Sequence, residues 1–162
     1  MKTRPTKDPT LGSRGSGGAG ETTVGDHPSL AVVIRAGEAL ANGLPTSHED
    51  VFAEDFVFHY YNRRLPDLEG DYQGIGGLRG FFERLGVVSG GTFHFEPRSL
   101  TPFGDELAVA HVVDRLSASG ADLELDALMV WRVVGGQIRE AWDIPAVNTV
   151  RPLREVDGSP TP

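Results

Sequence analysis

Asp143 is the residue whose neighbours best suit it to moving a proton. It closes the run Gln137-Ile138-Arg139-Glu140-Ala141-Trp142-Asp143, which follows Gly135-Gly136 and the long stretch from Asp122 to Val134. That stretch alternates polar and apolar residues, the period of a half-buried strand. Gly-Gly supplies the positive φ angles of a hairpin turn. The hairpin sets Asp143 on one face with Ala141, beside Met129 and Trp131 of the neighbouring strand. A carboxylate against apolar walls loses hydration, so its pKa rises toward that of a usable base. A base that removes a proton next to a carbonyl needs a donor for the developing enolate. The hydroxyl of Tyr60, in Phe56-Val57-Phe58-His59-Tyr60-Tyr61, is the candidate donor. The competing structural role for Asp143 is to cap a strand end or to pair with Arg139, Arg151 or Arg63.

Other reactive side chains fit surface roles better. If Phe58 and Tyr60 point inward, His59 points out; His111 likewise alternates with Ala110 and Val112. His94 and Glu96 share a strand face, but no third ligand stands at a readable spacing, so no metal is expected. Asp122, Glu124 and Asp126 read as a solvated outer face. Gly74-Ile75-Gly76-Gly77 lacks the Lys-Ser/Thr of a phosphate loop and reads as helix-entry geometry. Ser89 has no matched His-Asp partners for a hydrolase triad.

The elements that must position these residues follow from periodicity. Helices are predicted over Leu30–Ala41, capped by Ser29, over Ser47–Ala53, and over Ile75–Leu85. Strands are predicted over Phe56–Tyr61, Thr92–Leu100, Leu107–Leu116 and the two halves of the hairpin. The order implies an α+β domain, in which a strongly curved antiparallel sheet packs on three helices as a cone around an apolar pocket. Phe58, Phe81, Phe82, Leu85, Ala110, Val112, Met129, Trp131 and Ala141 are the expected walls. Residues 1–28 and 153–162 are poor in large apolar side chains and read as a disordered N-terminal tail and a flexible C-terminal tail around a domain of residues 29–152.

Composition narrows the function. A chain of 162 residues suits one domain with a proper core. A formal net charge of -8 argues against nucleic acid and against anionic membranes. The absence of cysteine excludes disulfides and thiol chemistry. Met1-Lys2-Thr3-Arg4 is not followed by an apolar signal segment, and no run is long enough to span a bilayer, so a cytoplasmic location is the expectation.

Four segments carry a resemblance. Phe52-Ala53-Glu54-Asp55, Leu68-Glu69-Gly70-Asp71-Tyr72-Gln73-Gly74, Gly90-Gly91-Thr92-Phe93 and Val130 to Glu140 resemble the SnoaL-like proteins of the nuclear-transport-factor-2-like superfamily. That superfamily includes ketosteroid isomerases, limonene epoxide hydrolases and polyketide cyclases. The resemblance spans residues 29–150 and implies the fold more than the reaction. The isomerase base, oxyanion tyrosine and oxyanion acid fall on Tyr60, about Ala36 and Met129, so that mechanism is not implied. The Arg and Asp that the epoxide hydrolases carry two apart fall on Ala110 and Val112, and Asp114-Arg115 has the wrong spacing. Only the last-strand Asp of the hydrolases and cyclases is kept, as Asp143, while Met129 replaces the cyclase His.

The resulting expectation is a small enzyme acting on a hydrophobic, carbonyl-bearing molecule by cofactor-independent isomerisation, cyclisation or hydration. Asp143 is its base and Tyr60 its donor. A non-catalytic ligand-binding or interaction module is the alternative. Outward Leu128, Val130, Val109 and Val113, together with the resemblance, imply a homodimer through the outer sheet face.

Overall fold

Apolar residues at helical spacing set two α-helices in this computed structural model, which describes residues 27–44 and 46–153. Helix α1 (Pro28–Ala41) buries Leu30, Val33, Ala36 and Ala39 along one stripe. Proline at the first helical position makes the start, with His27 at the cap position two residues before the expected Ser29; Ser29 is buried and bonds the His27 ring instead, at 2.7 Å. Gly43, with φ of 75°, ends the helix as the Leu44 amide turns back to the Ala39 carbonyl. Helix α2 (Gly74–Val88) buries Leu78, Phe81 and Leu85.

The third expected helix is a single 3-10 segment, Thr46–Val51, because Phe52 and Ala53 already belong to strand β1 (Phe52–Tyr60). A second 3-10 turn (Pro66–Leu68) leads into β2 (Gly70–Gln73), a strand not predicted from sequence. Strands β3 (His94–Phe103), β4 (Leu107–Ala118), β5 (Ala121–Val134) and β6 (Gln137–Pro145) follow as the expected antiparallel meander. A two-residue β7 (Arg151–Pro152) returns to pair with β5. The expected tails lie outside the described residues, apart from His27, Pro28 and Leu153 at their inner edges.

The sheet order is β2-β1-β6-β5-β4-β3. Strand β1 runs parallel to β6, so the sheet is mixed rather than purely antiparallel. Register shifts in β1, β3 and β5 break the flat ladder and help it to curl around the helices without closing. Aromatic rings seal the contact: Phe58 meets Phe81 edge-on at 4.9 Å between centroids, and Tyr60 and Tyr72 pack on the same ring. Gly77 is required here, because a Cβ on it would stand 2.9 Å from the Tyr72 carbonyl carbon.

The outer sheet face carries ion pairs and one apolar strip. Arg115 joins Glu96 and Glu124, and Arg151 joins Glu124 and Asp126. Leu128 and Ile144 are register partners and both exposed; Val109 and Val130 are half-buried. Val113, expected to be exposed, is buried: it lies on a central strand between its register partners Glu96 and Asp126, each ion-paired to a long arginine side chain. No described helix is long and apolar enough to cross a membrane.

Candidate active site

The concave face of the sheet and the two helices enclose a cavity of about 930 Å³. Its size suits a drug-sized or polycyclic molecule. Phe58, Phe81, Phe82, Leu85, Ala110, Val112, Met129 and Trp131 all line it, as do Asp143 and Tyr60. Ala141 does not: it is wholly buried in the core behind the wall.

Register explains the convergence. Tyr60 on β1 and Met129 on β5 both pair with Asp143 on β6, one from each side, and Ala110 on β4 pairs with Met129. Asp143 and Tyr60 therefore stand on neighbouring strands with their side chains in one hollow. The Asp143 Oδ1 atom is fully buried and accepts no hydrogen bond from any described residue. Burial, reinforced by the negative charge of Asp114, pushes its carboxyl well above the usual carboxylate range. None of the three arginines expected to compete for it pairs with it: Arg139 binds Asp55 at 2.6 Å, Arg151 binds Asp126 at 2.8 Å, and Arg63 is exposed and makes no ion pair among the described residues.

Tyr60 is buried and accepts the Asn62 side-chain N–H at 2.8 Å, which leaves its own O–H free to donate. Burial also raises its pKa, outweighing the hydrogen bond from Asn62, so the phenol stays protonated and remains a donor.

Asp114 is a site residue that the sequence reading passed over. It lines the cavity from β4, is buried, and its carboxyl is pushed up to about 7 by loss of hydration. The signal was present in strand parity: if Ala110 and Val112 face inward, so does Asp114. Asn62, buried in the loop just after β1, was likewise missed.

The remaining candidates are held in outer-face or local contacts. His59 bonds Asp71 at 2.7 Å and stacks on Trp142; His111 bonds Asp126 at 2.7 Å. The His94 ring turns to the Thr92 carbonyl, while Glu96 pairs with Arg98 and Arg115. Glu124 and Asp126 are ion-paired and Asp122 bonds Ser117. Among the described residues, no group of three such side chains is placed to hold a metal ion.

A curved, unclosed mixed sheet wrapped on two helices is the architecture of the NTF2-like proteins. The chain belongs to the SnoaL-like domain family within that class, whose family model matches residues 33–141. No curated protein matches it. Among solved structures, an NTF2-like protein of unknown function from Burkholderia pseudomallei is 19% identical, with a TM-score of 0.65 over 75% of this chain and 92% of that one. TerC, co-crystallised with polyporic acid, is 18% identical, with a TM-score of 0.63 over 72% of this chain and 90% of that one. The Delta 5-3-ketosteroid isomerase of Mycobacterium sp. is 15% identical, with a TM-score of 0.58 over 78% of this chain and 99% of that one. At these identities the likeness shows the fold alone.

Proposed function

We propose that the protein binds a small hydrophobic, carbonyl-bearing molecule in the cavity and rearranges it by acid–base chemistry of its own side chains. The unpartnered, buried Oδ1 of Asp143 beside the free O–H of Tyr60 carries this reading. Ionised Asp143 takes a proton from the carbon next to the carbonyl. The enolate oxygen then accepts a hydrogen bond from Tyr60. Return of the same proton from Asp143 to a different carbon completes an isomerisation and restores the carboxylate. The apolar walls withhold water, which strengthens both interactions. An isomerase and a protein crystallised with polyporic acid among the structural neighbours support small-molecule chemistry on this scaffold.

A thermal-shift panel of apolar ketones and quinones tests the binding half. A ligand at one hundred times its Kd stabilises the fold by about 2.7 kcal/mol. Hits are expected among flat or polycyclic carbonyl compounds; a panel without a single shift refutes the reading.

The proposal includes a homodimer through the outer sheet face, where Leu128 and Ile144 form an exposed apolar pair. Sedimentation at micromolar concentration is expected to give twice the 17.4 kDa chain mass, and Leu128→Glu to shift the protein to monomer. A monomeric wild type removes the dimer.

A further inference from the structure

Ten arginines and no lysine lie within the described residues. Seven of them are neutralised by carboxylates: Arg35, Arg79, Arg98, Arg115, Arg132, Arg139 and Arg151. Arg84 lies over the Tyr72 ring, 5.4 Å from its centroid. In a chain with 23 acidic and 15 basic residues, partners for a cation are plentiful. Yet Arg63 and Arg64 make no ion pair among the described residues, and Arg64 lines the cavity from an exposed position. The second arginine of the cavity wall, Arg98, is tied to Glu96 at 2.7 Å.

Arg64 is also held on a fixed perch. The buried Asn62 accepts the Arg64 backbone N–H on its Oδ1 at 3.0 Å while donating from Nδ2 to the Tyr60 hydroxyl at 2.8 Å. The Leu65 amide returns to the Asn62 carbonyl at 2.8 Å, and Leu65 itself packs against the core. One buried amide thus joins the interior phenol to the backbone of the rim cation. The main chain that carries the guanidinium is thus already ordered, and only the side chain has to settle when it takes a partner.

We infer that Arg64 is a carboxylate-recognition point at the rim of the cavity, so that the preferred ligand has an apolar body with an anionic group at one end. The inference rests on the reading that the cavity binds small apolar molecules, and it names the class among them. The deep part of the cavity is walled mostly by apolar side chains, where a carboxylate would lose its hydration without a cationic partner, so the charged end stays at the rim and the apolar body points inward. The guanidinium fork matches a carboxylate with two parallel hydrogen bonds. This fixes the direction in which a substrate enters, and hence which of its carbons reaches Asp143.

Pyrenebutyrate and its primary amide share one apolar body and differ in a single charge. Their affinities for the full-length chain, measured by calorimetry at neutral pH and low salt, test the inference. Wild type is expected to bind the carboxylate about three- to fivefold tighter than the amide, within reach of one well-formed exposed pair. Arg64→Gln brings the two within about twofold by weakening the carboxylate alone, and Arg64→Lys keeps part of the preference. Added salt narrows the wild-type gap. Equal affinities in wild type overturn the inference, as does a preference that survives Arg64→Gln. A preference lost equally in Glu38→Gln, which removes the acidic group on the α1 side of the same cavity, marks a general disturbance of the rim and also overturns it. If the amide binds without a preference, the cavity reading stands and the Arg64 assignment falls; if neither probe binds, both fall.

Discussion

Asp143→Asn is expected to yield a protein that binds apolar ligands as tightly as wild type, melts at a higher temperature in mildly alkaline buffer, and loses most of its turnover. The three effects share one cause. In the native fold the carboxyl sits in a hollow with apolar walls, its Oδ1 has no donor among the described residues, and Asp114 adds a like charge. Ionising it there costs free energy that an amide of the same shape does not incur. The gain appears as a higher Tm, at roughly 2–4 °C per kcal/mol for a domain of this size. Turnover falls because the amide cannot accept the proton, a loss on the order of 10²- to 10⁴-fold for a general base. Ligand affinity changes by less than about twofold, since the binding surface is apolar and its volume is unchanged. Melting curves and ligand titrations on the same preparation separate these effects. A variant that retains full turnover removes Asp143 as the base; one that melts lower would place Asp143 in a structural hydrogen bond instead.

That result would explain why the site is built on strands. Tyr60, Asp143 and Met129 are placed by backbone pairing across β1, β6 and β5, so their relative positions are fixed to ladder precision. The helices contribute rings and aliphatic side chains that fill the concave face and exclude water, with Phe81 in contact with both Phe58 and Tyr60.

The inward-facing set was legible because strand parity is a rigid constraint. Once Phe58 and Met129 are taken inward, Tyr60, Trp131, Ala110, Val112 and Asp143 follow. Ala141 shares that parity yet falls off the wall, because depth behind neighbouring side chains is not encoded by period. Asp114 obeys the same parity and was overlooked, since Asp114-Arg115 was read as a spacing to compare with the epoxide hydrolases instead of a carboxylate on an inward face. Strand β2 was invisible because Gly70-Asp71-Tyr72-Gln73 is short and offers one large apolar side chain; its extended form comes from pairing with β1. The parallel match of β1 with β6 joins segments about eighty residues apart, which no local pattern specifies. The Ser47–Ala53 helix was over-read, since an acidic first turn does not outweigh the pull of Phe52 and Ala53 into the sheet.

Stability is expected to peak in mildly acidic solution and to fall as pH rises toward neutrality, and Asp114→Asn to remove much of that fall. In the unfolded chain both interior carboxyls ionise near 3.8, whereas the native fold holds them protonated to higher pH. Between those limits the native state binds more protons than the unfolded state, so stability decreases with rising pH. For Asp114 the window runs from 3.8 to about 7 and is worth on the order of 4 kcal/mol; Asp143 extends the decline in the same direction. The surface carboxylates act oppositely. Hydrogen bonds hold Asp71 (from His59), Glu96 (from Arg115), Glu124 and Asp126 (from Arg151) below their ordinary range, so their contribution is lost only as pH falls below about 4. The maximum lies between the two regimes. Asp114→Asn also removes the like charge that raises Asp143. Asp143 then ionises more easily, and the rising limb of kcat/KM moves to lower pH. Unfolding measured across the pH range, with kcat/KM profiles of wild type and variant, checks both signs. Stability that is flat from pH about 4 to 8 would mean that the interior carboxyls ionise freely, and a rising limb that stays in place would mean that Asp114 does not influence the proton acceptor.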